Sequence, residues 1–171
     1  MRLNSFFFKI IIIISALLLT FLYAQYEKKK YYSYGNGEVA EFFLKRLPNF
    51  NVVKIENSER VNSYEYSKGS SALFVHIWGT WCAPCENEMP EFIKYAQSLE
   101  GRGIKFLLVA VNDNEIKVKK FMGRFQLPKN VEVVLDNENK IMDLFGTLKV
   151  PETFLFDSSG KHINKFSGPQ E

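Results

Sequence analysis

GTWCAPCENEMP, residues 79–90, decides how the rest of this 171-residue chain is read. It holds both cysteines of the chain, Cys82 and Cys85, two residues apart, with Trp81 before them and Pro84 between them. Just upstream, ALFVHIW (Ala72–Trp78) is a near-continuous apolar run, the pattern of a buried central strand. Downstream, Met89, Phe92, Ile93, Ala96 and Leu99 recur at steps of three and four, which predicts a helix from Pro84 to Leu99. Pro84 falls in the first turn, where its missing N–H is harmless, whereas Pro90 lies inside the pattern and should bend the helix. A strand therefore runs almost directly into a helix, and the thiols stand at the junction.

Such a junction favours a thiolate. The first N–H groups of a helix have no partner inside it, and the helix dipole adds partial positive charge there. Cysteine pKa values fall from about 8.5 to about 3.5–7.5 in such pairs. Cys82, the more exposed, is expected to attack a partner's disulfide, and Cys85, one turn into the helix, to resolve the mixed disulfide. A metal site is the rival use of the spacing. Structural zinc wants four ligands, and only His76 and His162, both in predicted strands, are left to join the cysteines. The expectation is no metal and no bound cofactor, with the two sulfurs carrying the electrons. Incidental burial of two cysteines is the third reading, and the flanking Trp81 and Pro84 weigh against it.

Working outward, the N-terminus is a different material. FFFKIIIIISALLLTFLYA, residues 6–24, carries Lys9 as its only charge. Roughly 20 apolar residues are enough to cross the hydrocarbon of a bilayer as a helix. The segment 1–25 is expected to be an uncleaved single-pass anchor, with a cleaved secretory signal as the rival. Leu22 is bulkier than a signal-peptidase site prefers. Residues 26–47 read as a juxtamembrane stalk and 48–171 as the folded domain. Net charge is +3, of which Arg2 and Lys9 supply two, so the remainder of the chain is nearly neutral and shows no basic stripe. Nucleic-acid binding is not expected.

NFNVVKIENSERVNSYEY, residues 49–66, predicts a hairpin: FNVVKI as a strand and ENSE as a turn into a second short strand. Beyond the central helix, IKFLLVAV is a buried strand, NDNEIKVKKFMGRFQLP a helix stopped by Pro128, and VEVVLD a strand. NENKIMDLFG is a short helix, and TFLFD and HINKFS form a hairpin about SSGK. The alternation implies an α/β layered domain, with parallel strands in the middle of a mixed sheet and an antiparallel hairpin at one edge.

FVHIWGTWCAPCENEMPEF resembles the active-site segment of the thioredoxin superfamily, and more narrowly that of the membrane-anchored TlpA/ResA group and the CcmG (DsbE) group. KVPETFLFD resembles the cis-proline loop of that superfamily, and VEVVLDNENKIMDLFG the strand-helix insertion of this branch. The resemblance covers about residues 48–168. It implies a thioredoxin-like fold, with Cys82 as nucleophile and Cys85 as resolving thiol. It also implies a cis-proline at Pro151, and a backbone at Val150 that pairs with an extended substrate. The resemblance also implies that Trp81 and Pro84 flank the substrate site. Glu88, one turn beyond Cys85, matches an acidic position suited to take a proton from that thiol.

Two departures stand out. His76 occupies the place of a buried Asp or Asn, either as a proton relay or as a satisfied core residue. The chain also stops at SGPQE, where members of this branch usually continue into a last helix; either the protein does without that helix or the sequence is truncated. Asp113 and Asp136 follow strands and read as capping or loop residues. The implied activity is a protein-disulfide reductase on the periplasmic, extracytoplasmic side of a bacterial membrane. It would act on apocytochrome c before haem attachment and be recharged by a DsbD/CcdA-like transmembrane donor. The alternatives are a general thiol reductant for peroxidase or repair partners, and a thioredoxin-like binding module without turnover.

Overall fold

The computed structural model describes residues 9, 13–25, 44–138 and 140–169, which fall in two compact units, Met1–Phe43 and Leu44–Glu171. In the first unit, residues 13–25 are helical. Among the described residues no helix is long and apolar enough to cross a membrane. Much of the expected anchor and most of the stalk lie outside the described residues.

The second unit is built on one seven-stranded sheet. Its strands are β1 (Asn51–Lys54), β2 (Arg60–Asn62), β3 (Ala72–Trp78), β4 (Ile104–Ala110), β5 (Val131–Leu135), β6 (Glu152–Asp157) and β7 (His162–Ser167). Its helices are α1 (Ser63–Ser67), α2 (Ala83–Ser98), α3 (Glu115–Met122) and α4 (Ile141–Phe145). The sheet order is β2-β1-β5-β4-β3-β6-β7. β3, β4 and β5 run parallel, while β1 and β6 are antiparallel to β5 and β3. The two hairpins thus close opposite edges of the sheet. This is the expected layered α/β architecture, a thioredoxin-like fold with a central mixed sheet.

Strand alternation sorts β3 onto two faces. Leu73, Val75 and Ile77 join the core formed with Leu107, Val109, Phe145, Phe154 and Phe156. Phe74 and Trp78 face α2 and α3, where Cys82, Cys85, Met89, Ile93, Val118 and Phe121 complete a second core. Trp78 is fully buried, with its ring 5.4 Å from that of Phe121. His76 therefore lies inside the α2-facing layer, between two aromatic residues of its own strand.

Three details differ from the sequence reading. SYEYS does not prolong the hairpin: β2 stops at Asn62, whose side chain accepts the N–H groups of Tyr64 and Glu65 and starts helix α1. Helix α3 ends at Gly123, well before Pro128. Leu44 and Leu47, read as stalk, are buried in the core. They are held there because Leu47 N–H donates to the Gly160 carbonyl and His162 N–H to the Lys45 carbonyl, across the β6–β7 turn.

Candidate active site

Residues 79–82 turn the chain from β3 into α2. Thr80 fixes the turn: its N–H and its hydroxyl both donate to the carboxylate of Asp113, at 2.5 and 2.9 Å. Asp113 also accepts the N–H of Asn114, whose side chain caps α3. It is thus a clamp between the two loops that follow β3 and β4, not a plain loop residue. Trp81 lays its indole back over Gly79 and donates its Nε1–H to the Val111 carbonyl at 3.0 Å. A Cβ on residue 79 would stand 2.5 Å from that nitrogen, so glycine is needed for this pose. The indole remains 54% exposed beside the cysteines.

Cys82 is the N-cap of α2, and its sulfur accepts the N–H of Cys85 at 3.2 Å. The usual capping oxygen of Ser, Thr, Asp or Asn is replaced by sulfur. Pro84, exposed in the first turn, has no N–H that would compete for it. The two cysteines form a disulfide, with Cα atoms 5.3 Å apart. Cys85 is completely buried, whereas Cys82 retains a small exposed edge, so an incoming reagent meets Cys82 first.

The loop before β6 closes the other side. The Val150–Pro151 bond is cis, and the Val150 carbonyl oxygen lies 3.6 Å from the sulfur of Cys82. Pro151 is buried, and its own carbonyl accepts the N–H of Gly168. Two residues before Val150, Leu148 is 90% exposed, the most exposed large apolar side chain among the described residues. Ile116, at the start of α3 beyond β4, is also exposed. Topology places Trp81, Leu148 and Ile116 at the same end of the sheet as Cys82.

Glu88 sits one helical turn beyond Cys85 on the buried side of α2. Its Oε1 lies 3.5 Å from Nε2 of His76, and both side chains are almost wholly buried. Nδ1 of His76 is 2.9 Å from the hydroxyl of Thr153, its antiparallel partner on β6. The imidazole stacks on Phe92, with ring centroids 4.3 Å apart. Burial pushes the His76 pKa down to about 3, so the ring is neutral. A groove of about 290 Å³, lined by Glu88, Phe92, Tyr95, Thr153 and Phe166 among others, leads from solvent to this carboxyl.

The structure thus brings Trp81, Cys82, Pro84, Cys85, Val150 and Pro151 to one place and sets Glu88 behind Cys85. Sequence reasoning missed Thr153, Leu148 and the demand at Gly79. Thr153 becomes visible only through the β3–β6 register. Among the described residues, no three His, Cys, Asp or Glu side chains are grouped so as to hold a metal ion. Asp136 accepts the N–H of Ile141 at the start of α4, a capping contact.

Two sulfurs delivered by a central strand to a helix start, where they close on each other beside a cis-proline, define a thioredoxin-like thiol-disulfide oxidoreductase. A model of the AhpC/TSA family matches residues 44–163, and the chain belongs to that family. Its relatives agree on the chemistry. It is 30% identical over 140 residues to the thiol-disulfide oxidoreductase ResA of Bacillus cereus, covering 82% of this chain and 78% of that one. It is 31% identical to ResA of Bacillus subtilis, covering 71% and 65%. Among solved structures, StoA from Bacillus subtilis superposes with a TM-score of 0.58 at 24% identity, covering 72% of this chain and 90% of that one. A thioredoxin-family thiol:disulfide interchange protein from Chlorobium tepidum does so with 0.60 at 26% identity, covering 74% and 88%. The chain is a thiol-disulfide oxidoreductase of the ResA type.

Proposed function

We propose that the protein is a membrane-tethered disulfide reductase working on the oxidising side of a bacterial membrane. Its targets are disulfides of exported proteins, above all apocytochrome c before haem attachment. The observation that carries the direction of attack is the sulfur of Cys82 at the head of α2, accepting the Cys85 N–H and lying against the Val150 carbonyl. The apolar run of residues 6–24, helical over 13–25, supports the tether.

The cycle starts from the dithiol. The Cys82 thiolate attacks one sulfur of the substrate disulfide, a Cys82–substrate bond forms, the substrate's own S–S bond breaks, and the first substrate thiolate leaves and takes a proton. Glu88 then accepts the proton of Cys85. The Cys85 thiolate attacks Cys82 and closes the internal disulfide. The second substrate thiolate leaves and takes up the proton that Glu88 received. Two electrons have passed to the substrate, and no bound cofactor is required. A transmembrane dithiol donor of the DsbD/CcdA kind restores the pair by the same exchange. The substrate chain lies along Val150 by strand addition. The exposed Trp81, Leu148 and Ile116 supply apolar contacts around it.

The test is a trap. Cys85→Ser should hold the substrate on Cys82 as a stable mixed disulfide in cells. Recovery of apocytochrome c bears the reading out. A broad set of unrelated exported proteins replaces it with general reduction, and no adduct at all contradicts turnover.

A further inference from the structure

His76 gives up and takes up no proton in the proposed thiol exchange, yet it lies against the carboxyl that the exchange uses. It reaches Glu88 at 3.5 Å on one side and Thr153 at 2.9 Å on the other, in an apolar layer that includes Phe74, Trp78, Phe106 and Leu108. An imidazole in such a place needs both nitrogens satisfied, because an unmatched buried polar group is costly.

We propose that His76 is a positioning residue for resolution: it donates Nε2–H to the carboxylate of Glu88 while its Nδ1 accepts the Thr153 hydroxyl, and so keeps that buried carboxyl charged and aimed at Cys85. This rests on the reading of Glu88 as the proton acceptor. A neutral imidazole carries one N–H. With the hydrogen on Nδ1, Nε2 would present a lone pair to a carboxylate oxygen, which is repulsive. With the hydrogen on Nε2, the ring donates to Oε1, and Nδ1 accepts the Thr153 hydroxyl. Donation to the charged form opposes the burial of Glu88, which by itself favours the neutral acid. Oε2 is then left to take the proton of Cys85 while Oε1 stays held. The separation of 3.5 Å is that of the disulfide form, and such contacts tighten when the reacting geometry forms.

The surroundings of this pair are mostly apolar. On α2 the neighbours are Cys85, and Glu91 and Tyr95 at the groove. β4 offers Phe106 and Leu108 to this layer, α3 offers Val118, Phe121 and Met122, and β7 offers Phe166. Glu152 of β6 points to the opposite face of the sheet, where it pairs with Lys165 at 2.8 Å.

The test separates the two halves of the reaction. Reduced protein is mixed with an aromatic disulfide whose released thiols absorb. The first release reports attack by Cys82 and the second reports resolution by Cys85, each followed against pH. His76→Phe keeps the ring that stacks on Phe92 but cannot donate. It should move the acid limb of the second release upward by about one pH unit, slowing it about tenfold below that limb, and leave the first release in place. Thr153→Val should shift the same limb in the same direction, and Thr153→Ser should restore it. Should His76→Phe fail to fold, Thr153→Val carries the test alone. Nitrogen-15 NMR of the reduced wild-type protein should find the hydrogen on Nε2 at neutral pH, and a hydrogen on Nδ1 would overturn the proposal. Glu88→Gln should abolish the limb. If it does so while the His76 and Thr153 variants leave the limb unmoved, His76 has no such role. If Glu88→Gln itself keeps the limb, the reading of Glu88 fails and this inference falls with it.

Discussion

The indole of Trp81 lies directly over Gly79, so closely that a Cβ at 79 would stand 2.5 Å from its Nε1. Glycine thereby sets the pose of the exposed ring beside Cys82. Because the obstacle is the end of a side chain and not backbone, Gly79→Ala should fold and displace the ring. The bond from Trp81 to the Val111 carbonyl would be lost, a cost of about 1 kcal/mol. Quenching of tryptophan fluorescence by iodide should rise, and reduction of a protein disulfide should slow several-fold. Unchanged quenching would mean that the ring does not depend on residue 79.

Leu148 touches solvent over most of its surface, two residues before the loop that faces Cys82. Leu148→Asp should change stability by less than about 0.5 kcal/mol, as exposed substitutions do. It should lower kcat/KM for a folded or peptide disulfide several-fold and leave a small-molecule disulfide unaffected. Equal effects on both substrates would contradict a docking role.

Burial holds His76 neutral, with its pKa down from 6.5 to about 3. As pH falls, the unfolded chain binds a proton at this residue near 6.5, and the folded chain does not until near 3. Stability from this group is therefore complete above the unfolded pKa and is lost as pH falls through the window below it, at about 1.4 kcal/mol per pH unit. Urea unfolding of wild type and His76→Phe at a series of pH values should show the variant losing less stability across that window. Parallel pH curves for the two proteins would contradict a neutral His76.

Much of this was legible in the sequence. The β3–α2 junction and its cysteines stand out because a continuous apolar run meets a three-and-four periodicity at a Cys-x-x-C, and both signals are local. β4 and β5 are legible for the same reason. The features that the sequence does not reveal depend on distant partners. Leu44 and Leu47 sit among Lys45, Arg46 and Pro48 and look like linker; only pairing with the β6–β7 turn buries them. SYEYS alternates like a strand, but the Asn62 cap bends the chain into α1 and lets the Tyr66 hydroxyl reach the Phe106 carbonyl. The contact of His76 with Thr153 spans 77 residues and is set by sheet order, which composition does not reveal.

The central claim is that the start of α2 holds the Cys82 sulfur as a thiolate. In the reduced protein, ultraviolet thiolate absorbance or the rate of alkylation against pH reads this out, with Cys85→Ser isolating the group. The account predicts ionisation well below the value of about 8.5 for free cysteine. A Cys82 that titrates at or above that value, in a folded and reduced protein, would contradict it.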